Sequence, residues 1–162
     1  MYDIKLFKDI EFPKGKLYED NGTTYKLIMK CPKIVYTNQS LYNYHIRKTS
    51  ITSKEFSIKK MDYIYLTEEE CDVIEKKFPQ LSEECRIRRA IAKFSVLRQM
   101  LNKKLNKEEK ELENQIIEDL KNEYKNLKKN KYMNKKLKWS FKLLLIDKQI
   151  LKLGAKIYER VK

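Results

Sequence analysis

The fold class depends first on residues 82–105, which have the sequence SEECRIRRAIAKFSVLRQMLNKKL. Apolar side chains recur there at steps of three and four, the spacing of one face of an α-helix: Ile87, Ala90, Ile91, Phe94, Leu97, Leu101 and Leu105. Ser82 and the two glutamates that follow it are typical of a helix N-terminus. We therefore predict an amphipathic helix over this segment.

Helical patterns continue on both sides of this segment. Thr67 followed by Glu70 has the form of a capping box and predicts a short helix that ends near Phe78. Asn106 and Glu109 predict a second cap, before a helix with apolar positions Leu112, Ile116, Leu120, Tyr124 and Leu127. A fourth helix is predicted from about residue 133 toward the C-terminus. Its apolar residues cover two faces, which favours a central place in a bundle or an interface.

Residues 1–66 have a different pattern, in which short runs of Tyr, Ile, Val, Thr and Phe lie between turn residues. Asn21-Gly22, between residues 16–19 and 24–29, predicts a β-hairpin with a type I′ turn. Further strands are predicted at residues 34–37, 41–47, 51–59 and 63–66. Tyr42 and Tyr44 share one face of such a strand, where they either pack in a core or stack on nucleic-acid bases.

The sequence therefore predicts an α+β protein with two parts. Residues 1–66 are expected to form a β-rich module, either a small antiparallel β-sheet or a partly closed barrel. Residues 67–162 are expected to form a helical module, a bundle of about four helices with basic faces.

The charge of the chain is strongly positive, with 37 Lys and Arg against 23 Asp and Glu and a formal net charge of +14. Residues 86–107 and 125–142 contain no acidic residue. A surface of this charge attracts polyanions, of which nucleic acid is the first class to consider and an anionic membrane surface the second. The alternative is that these cations are solvated or are neutralised by the carboxylates of residues 108–123.

The charge pattern leads to the first functional hypothesis, a non-catalytic nucleic-acid-binding protein of a virus or mobile element with an A/T-rich genome. It would contact phosphates of DNA or RNA largely without reading sequence. The predicted contacts are Arg86, Arg88, Arg89, Lys93, Arg98, Lys125, Lys128, Lys129, Lys131, Lys135, Lys136 and Lys138.

The apolar C-terminal helix leads to an alternative hypothesis, a subunit or inhibitor in a multi-protein assembly such as a replication or host-takeover complex. The helix would bind a protein partner or a second copy of the chain. The predicted interface residues are Trp139, Phe141, Leu144, Ile150 and Ile157. No membrane partner is predicted.

Motifs for catalysis are absent from the sequence, so we expect no enzyme, no cofactor and no metal site. Three glycines in the whole chain exclude a Gly-rich phosphate loop. One histidine and three cysteines at spacings of 40 and 14 do not match a zinc site. The unpaired cysteines, with no signal-peptide pattern, predict a soluble intracellular protein in the cytoplasm or nucleoplasm of a host cell.

Overall fold

The computed structural model describes residues 2–43, 45 and 55–161, with side chains in the last helix as far as Ile157. This part of the protein is 66% helical and contains no strand. Its α-helices are α1 (Thr24–Lys30), α2 (Asp62–Lys77), α3 (Ser82–Met100), α4 (Lys107–Leu127), α5 (Lys135–Ile146) and α6 (Lys148–Val161). Short 3₁₀ helices lie at Ile4–Lys8, Ile58–Met61 and Pro79–Leu81.

Helix α3 is the centre of the structure. It packs against α2 and α4, while α5 packs against α4 and α6. Of the predicted apolar stripe, Leu97 is completely buried, whereas Ile91 is 41% exposed. Val96 and Met100, which the predicted stripe did not include, are also completely buried. Phe141 of α5 joins this core, with its ring edge-on to Phe94 at a centroid distance of 4.8 Å.

The predicted cap of α4 is confirmed. The backbone N–H of Glu109 donates to Asn106 Oδ1 at 2.8 Å, and the backbone N–H of Asn106 donates to Glu109 Oε2 at 3.1 Å. This reciprocal pair satisfies two backbone donors that a helix N-terminus otherwise leaves without partners. The predicted start of α3 at Ser82 and the end of α2 before Phe78 are also confirmed.

The predicted β-rich module is wrong. Residues 24–29, expected to be a strand, lie in helix α1, and residues 63–66 lie in α2. Residues 34–37 have no regular secondary structure. The predicted strands at 41–47 and 51–59 lie partly outside the described residues. Residues 41–43 and 55–57 have no regular secondary structure, and residues 58–59 lie in the 3₁₀ helix Ile58–Met61. Burial of Tyr25 and Leu27 on α1 outweighs the β-propensity of this segment, since such propensity is weak relative to packing.

The predicted type I′ turn at Asn21-Gly22 is also wrong. Such a turn needs positive φ at both residues, but in the described chain positive φ occurs at Gly15 (77°) and Tyr18 (60°). Gly22 is needed for space instead, because a Cβ atom there would lie 2.9 Å from Leu66 Cδ2 on α2. The glycine thus marks close packing of the N-terminal segment on α2.

The predicted cap at Thr67 is wrong, because Thr67 lies inside α2. Its side chain, like that of Asp62, instead binds the N-terminal segment. Helix α2 begins five residues earlier, at Asp62. Thr67 is buried in mid-helix and its Oγ1 accepts a hydrogen bond from Asn21 Nδ2 at 3.0 Å. Asp62 accepts hydrogen bonds from Lys16 Nζ at 2.8 Å and from the backbone N–H of Leu17 at 3.1 Å.

The single C-terminal helix predicted from residue 133 is two helices. Asp147 has an extended backbone (φ −164°, ψ 148°) that ends α5, and its Oδ1 accepts a hydrogen bond from the backbone N–H of Gln149 at the start of α6. Gly154 lies where α6 meets α5, since a Cβ atom there would come within 2.6 Å of Leu143 Cδ1. None of the helices in the described ranges has the length and apolarity needed to cross a bilayer.

Two aromatic residues on α5 provide a test of this core. Phe141 is completely buried and Trp139 is 61% exposed. We expect Phe141→Ala to lower the free energy of unfolding by about 3–5 kcal/mol, because it removes a large side chain from a packed core. Trp139→Ala should change it by less than about 1 kcal/mol. Chemical denaturation followed by circular dichroism measures both, and equal losses would contradict this arrangement.

Candidate functional site

The first group of predicted nucleic-acid contacts lies on α3, where Arg89 is the most strongly bound of them. Its Nε lies 2.6 Å from Glu68, and its Nη2 lies 2.7 Å from Asp72 and 2.8 Å from Glu75. The three carboxylates share one face of α2, at spacings of four and three residues. The side chain of Arg89 is only 18% exposed, so these carboxylates occupy its guanidinium.

The charges in this group also shift one another's pKa values. Hydrogen bonds from Arg89 hold the pKa of Glu75 below its usual value of 4.5. The hydrogen bond to Glu75 in turn raises the pKa of the Arg89 guanidinium. Both shifts favour the charged forms, as expected for a hydrogen-bonded ion pair.

The neighbouring cations of α3 are paired as well. Arg88 Nε lies 2.8 Å from Glu70 on α2, and Arg86 Nη1 lies 3.2 Å from Glu123 on α4. Lys93 bridges both neighbours of α3, 3.5 Å from Glu68 and 3.2 Å from Asp119. The expected alternative, in which carboxylates of residues 108–123 neutralise the first acid-free stretch, is therefore confirmed for Arg86 and Lys93.

Arg98, near the end of α3, lies beside a cleft. It lines a cleft of about 660 Å³ between α3, α5 and α6. Most of the lining is apolar and includes Phe94 and Leu143, while Lys135 and Lys136 also line the cleft. The structure thus brings Arg98 to the same cleft as the start of α5.

The second group of predicted contacts lies where α4 passes into α5. All seven lysines of this group are exposed: Lys125, Lys128, Lys129, Lys131, Lys135, Lys136 and Lys138. Five of them have no ion pair with a carboxylate of the described residues: Lys125, Lys128, Lys129, Lys135 and Lys138. Lys131 lies over the ring of Tyr132, with Nζ 4.8 Å from the centroid.

Asn130 holds the connection between α4 and α5 in its place. It is buried, its Nδ2 donates to Glu83 Oε2 at 2.6 Å, and its Oδ1 accepts from the backbone N–H of Tyr132 at 2.8 Å. This side chain therefore joins the lysine-rich connection to the first turn of α3.

The five predicted interface residues divide into two sets. Phe141 and Leu144 are buried in the core, so their surfaces are already covered by this chain. Trp139, Ile150 and Ile157 are exposed, by 61%, 38% and 55%. The structure thus leaves three of the five accessible.

Few side chains of the described residues are placed to act as a nucleophile or as a metal ligand. Cys71 and Cys85 are buried, and burial raises the pKa of both thiols. Lys60 is also buried; its ammonium donates to Gln99 Oε1, and desolvation lowers its pKa. No cluster of three His, Cys, Asp or Glu side chains suited to a metal ion occurs within residues 2–43, 45 and 55–157.

Comparison with known proteins gives two local similarities. The chain is 40% identical over 52 residues to the glycosyltransferase GlyA and 33% identical over 54 residues to the glycosyltransferase GlyG, both of Streptococcus pneumoniae serotype 4 (strain ATCC BAA-334 / TIGR4). These segments are 32% and 33% of this chain but 8% and 18% of the relatives. No family model and no solved structure matches the chain.

These similarities correct the expectation that the protein is not an enzyme. Both relatives are enzymes by name, and the motifs missing from the sequence, a Gly-rich phosphate loop and a zinc site, are only two of the forms that a catalytic site takes. Short fixed-spacing motifs are one way to build a catalytic site; residues that are distant in sequence form others. The missing motifs therefore did not justify the conclusion.

The network around Arg89 gives a pH-dependent prediction. A carboxylate whose pKa is lower in the folded state stabilises the fold at pH values above its unfolded pKa, and this stabilisation disappears as the pH falls through the folded pKa. We expect Arg89→Gln to lower the free energy of unfolding by about 1–3 kcal/mol at pH 7. The difference from the wild type should shrink below pH 4.5, where Glu75 protonates more readily in the variant.

Urea denaturation between pH 3 and pH 7 measures this difference. Lys129→Gln is the control, because it also removes one positive charge but from an exposed side chain without an ion pair in the described residues. The free energies of unfolding of Arg89→Gln and the control are compared at each pH. If they differ by the same amount at pH 3 and pH 7, the ion pair between Arg89 and Glu75 is contradicted.

Proposed function

We propose that this chain functions in glycosyl transfer, as a helical part of a glycosyltransferase. The observation that supports the proposal is the local similarity to two proteins that are both named glycosyltransferases. A segment of 52–54 residues is at the lower limit of independent domain size. The shared segment is therefore a structural part of such an enzyme, and the activity belongs to the protein that includes it.

The helical arrangement is consistent with a part that supports a binding site. Helices α2, α3 and α4 are joined by buried apolar contacts and by the ion pairs of Arg86, Arg89 and Lys93. A body held together in this way keeps attached segments in a fixed position. Fixed positioning of a sugar donor and acceptor is a large part of what an enzyme contributes to group transfer.

The proposal predicts a change in glycans. Disrupting the coding segment in the source cell should remove a glycosyl residue from its glycoconjugates, which mass spectrometry of released glycans measures. The wild-type sequence should restore that residue and Phe141→Asp should not, because a charge in the core unfolds the helical body. Val35→Asp, on an exposed side chain, is the control and should restore it. An unchanged glycan profile after disruption would contradict the proposal.

Nucleic-acid binding is a second candidate function, and one observation favours it. Lys125, Lys128 and Lys129 are exposed at the end of α4 and have no ion pair with a described carboxylate. Closely spaced cations of this kind exchange counterions for phosphates and bind polyanions in a salt-dependent way.

Fluorescence anisotropy with a labelled oligonucleotide tests this candidate. At low salt we expect Lys128→Glu/Lys129→Glu to weaken binding roughly tenfold or more, because it reverses two cations that are available to phosphates. Lys8→Glu/Lys14→Glu makes the same change in net charge at exposed positions outside this cluster and should weaken binding much less. The candidate is contradicted if the wild type fails to bind at 50 mM salt or if both variants weaken binding equally.

A further inference from the structure

Helix α6 has an apolar face that the described part of the chain leaves largely uncovered. Ile150, Leu153 and Ile157 recur at steps of three and four residues, so they lie along one side of the helix. Their side chains are 38%, 59% and 55% exposed. The packing side of α6 is a different one, on which Leu151 is buried and Gly154 contacts Leu143.

Helix α5 has a similar exposed pair. Trp139 and Ile146 are seven residues apart, which places them within about 20° of each other around the helix. They are 61% and 68% exposed. Ile146 ends α5 next to Asp147, the residue before α6, so the two exposed stripes start from the same junction. We call these five residues the apolar face: Trp139, Ile146, Ile150, Leu153 and Ile157.

Cations surround the apolar face. Residues 134–157 contain one acidic residue, Asp147, and seven lysines: Lys135, Lys136, Lys138, Lys142, Lys148, Lys152 and Lys156. Lys148 pairs with Glu113 of α4 at 2.7 Å. Lys142 has its ammonium over the ring of Trp139, 5.2 Å from the centroid. Exposed Ile and Leu side chains next to a tryptophan and several lysines form an amphipathic surface with a large excess of positive charge.

We propose that the apolar face binds the surface of an anionic lipid bilayer. Helices that lie in the plane of a bilayer interface combine an apolar side with lysines on the polar side, and their affinity depends on both. Tryptophan is favoured at the same depth, since its ring is amphipathic. Helices α5 and α6 have 12 and 14 residues, fewer than the about 20 that a membrane span needs. This inference departs from the sequence-based expectation of no membrane partner.

Charge decides between a bilayer and the other occupants of such a face. A second copy of this chain would bring the same lysines and the same net charge of +14 against the first, so electrostatic repulsion opposes association through this face. A nucleic acid would match the lysines but would leave the exposed Ile and Leu side chains in water. An anionic bilayer complements both, with headgroups for the lysines and acyl chains for the apolar residues.

Trp139 provides a direct test, because it is the one tryptophan of the chain. Adding vesicles of equal parts phosphatidylcholine and phosphatidylglycerol at 0.15 M NaCl should shift the Trp139 emission maximum to shorter wavelength and should co-sediment the protein. Vesicles of phosphatidylcholine alone should do neither. Sedimentation velocity without vesicles should give a monomer.

Two variants with the same change in charge separate insertion from general attraction. Leu153→Glu/Ile157→Glu should weaken binding to the mixed vesicles about tenfold or more, since it places carboxylates in the apolar face. Ile34→Glu/Val35→Glu, on exposed side chains outside that face, should bind within about threefold of the wild type. Circular dichroism checks that both variants are folded.

Three results would overturn the proposal. The first is equal weakening by the two variants, which would indicate attraction by net charge alone. The second is a blue-shifted Trp139 emission in a dimer without vesicles, which would assign the face to a second copy. The third is a shift on addition of an oligonucleotide with none on addition of mixed vesicles.

Discussion

The interaction on which the rest of the structure depends is the set of ion pairs between Arg89 on α3 and the carboxylates of α2. Glu68, Asp72 and Glu75 lie on one face of α2, within hydrogen-bond distance of a guanidinium that is mostly buried. A partly buried cation without these partners would lose hydration with little compensation. The ion pairs therefore fix which face of α2 meets α3, and α2 in turn positions the N-terminal segment through Asp62, Thr67 and Glu69.

The same ion pairs neutralise part of the positive charge that suggested nucleic-acid binding. Carboxylates of this chain pair with α3 cations that were first assigned to nucleic acid: Arg86, Arg88, Arg89 and Lys93. The exposed positive charge of the second acid-free stretch lies at the end of α4 and the start of α5. At the start of α5 it adjoins the exposed Trp139, and this arrangement is the basis for proposing a bilayer surface as the partner of that end of the molecule. The similarity to two glycosyltransferases is independent of this surface and concerns a different property of the protein.

The sequence predicted the helical half well because the apolar spacing of α3 and α4 is long and regular, and because Asn106 and Glu109 form a local cap. It failed for residues 1–66, where tyrosines and β-branched residues favour strands only weakly. Tyr25 and Leu27 are buried against other parts of the chain, which a local pattern does not reveal. The break at Asp147 was missed because the apolar pattern continues across it.

One part of the site could have been predicted from the sequence. The acidic positions 68, 72 and 75 and the basic positions 86, 89 and 93 each have helical spacing, and a short connection separates them. These two stripes predict a charge-paired helical hairpin. Asn130 and Lys60 gave no such signal, because their partners, Glu83 and Gln99, are distant in sequence.

A double-mutant cycle between Arg89 and Glu75 measures the central interaction most directly. The free energies of unfolding of the wild type, Arg89→Gln, Glu75→Gln and the double variant are compared at pH 7 and low salt. The ion pairs described above predict a coupling energy of about 1 kcal/mol or more, since the two groups form charge-assisted hydrogen bonds in a partly buried site. Strictly additive losses, with a coupling energy near zero, would contradict the account.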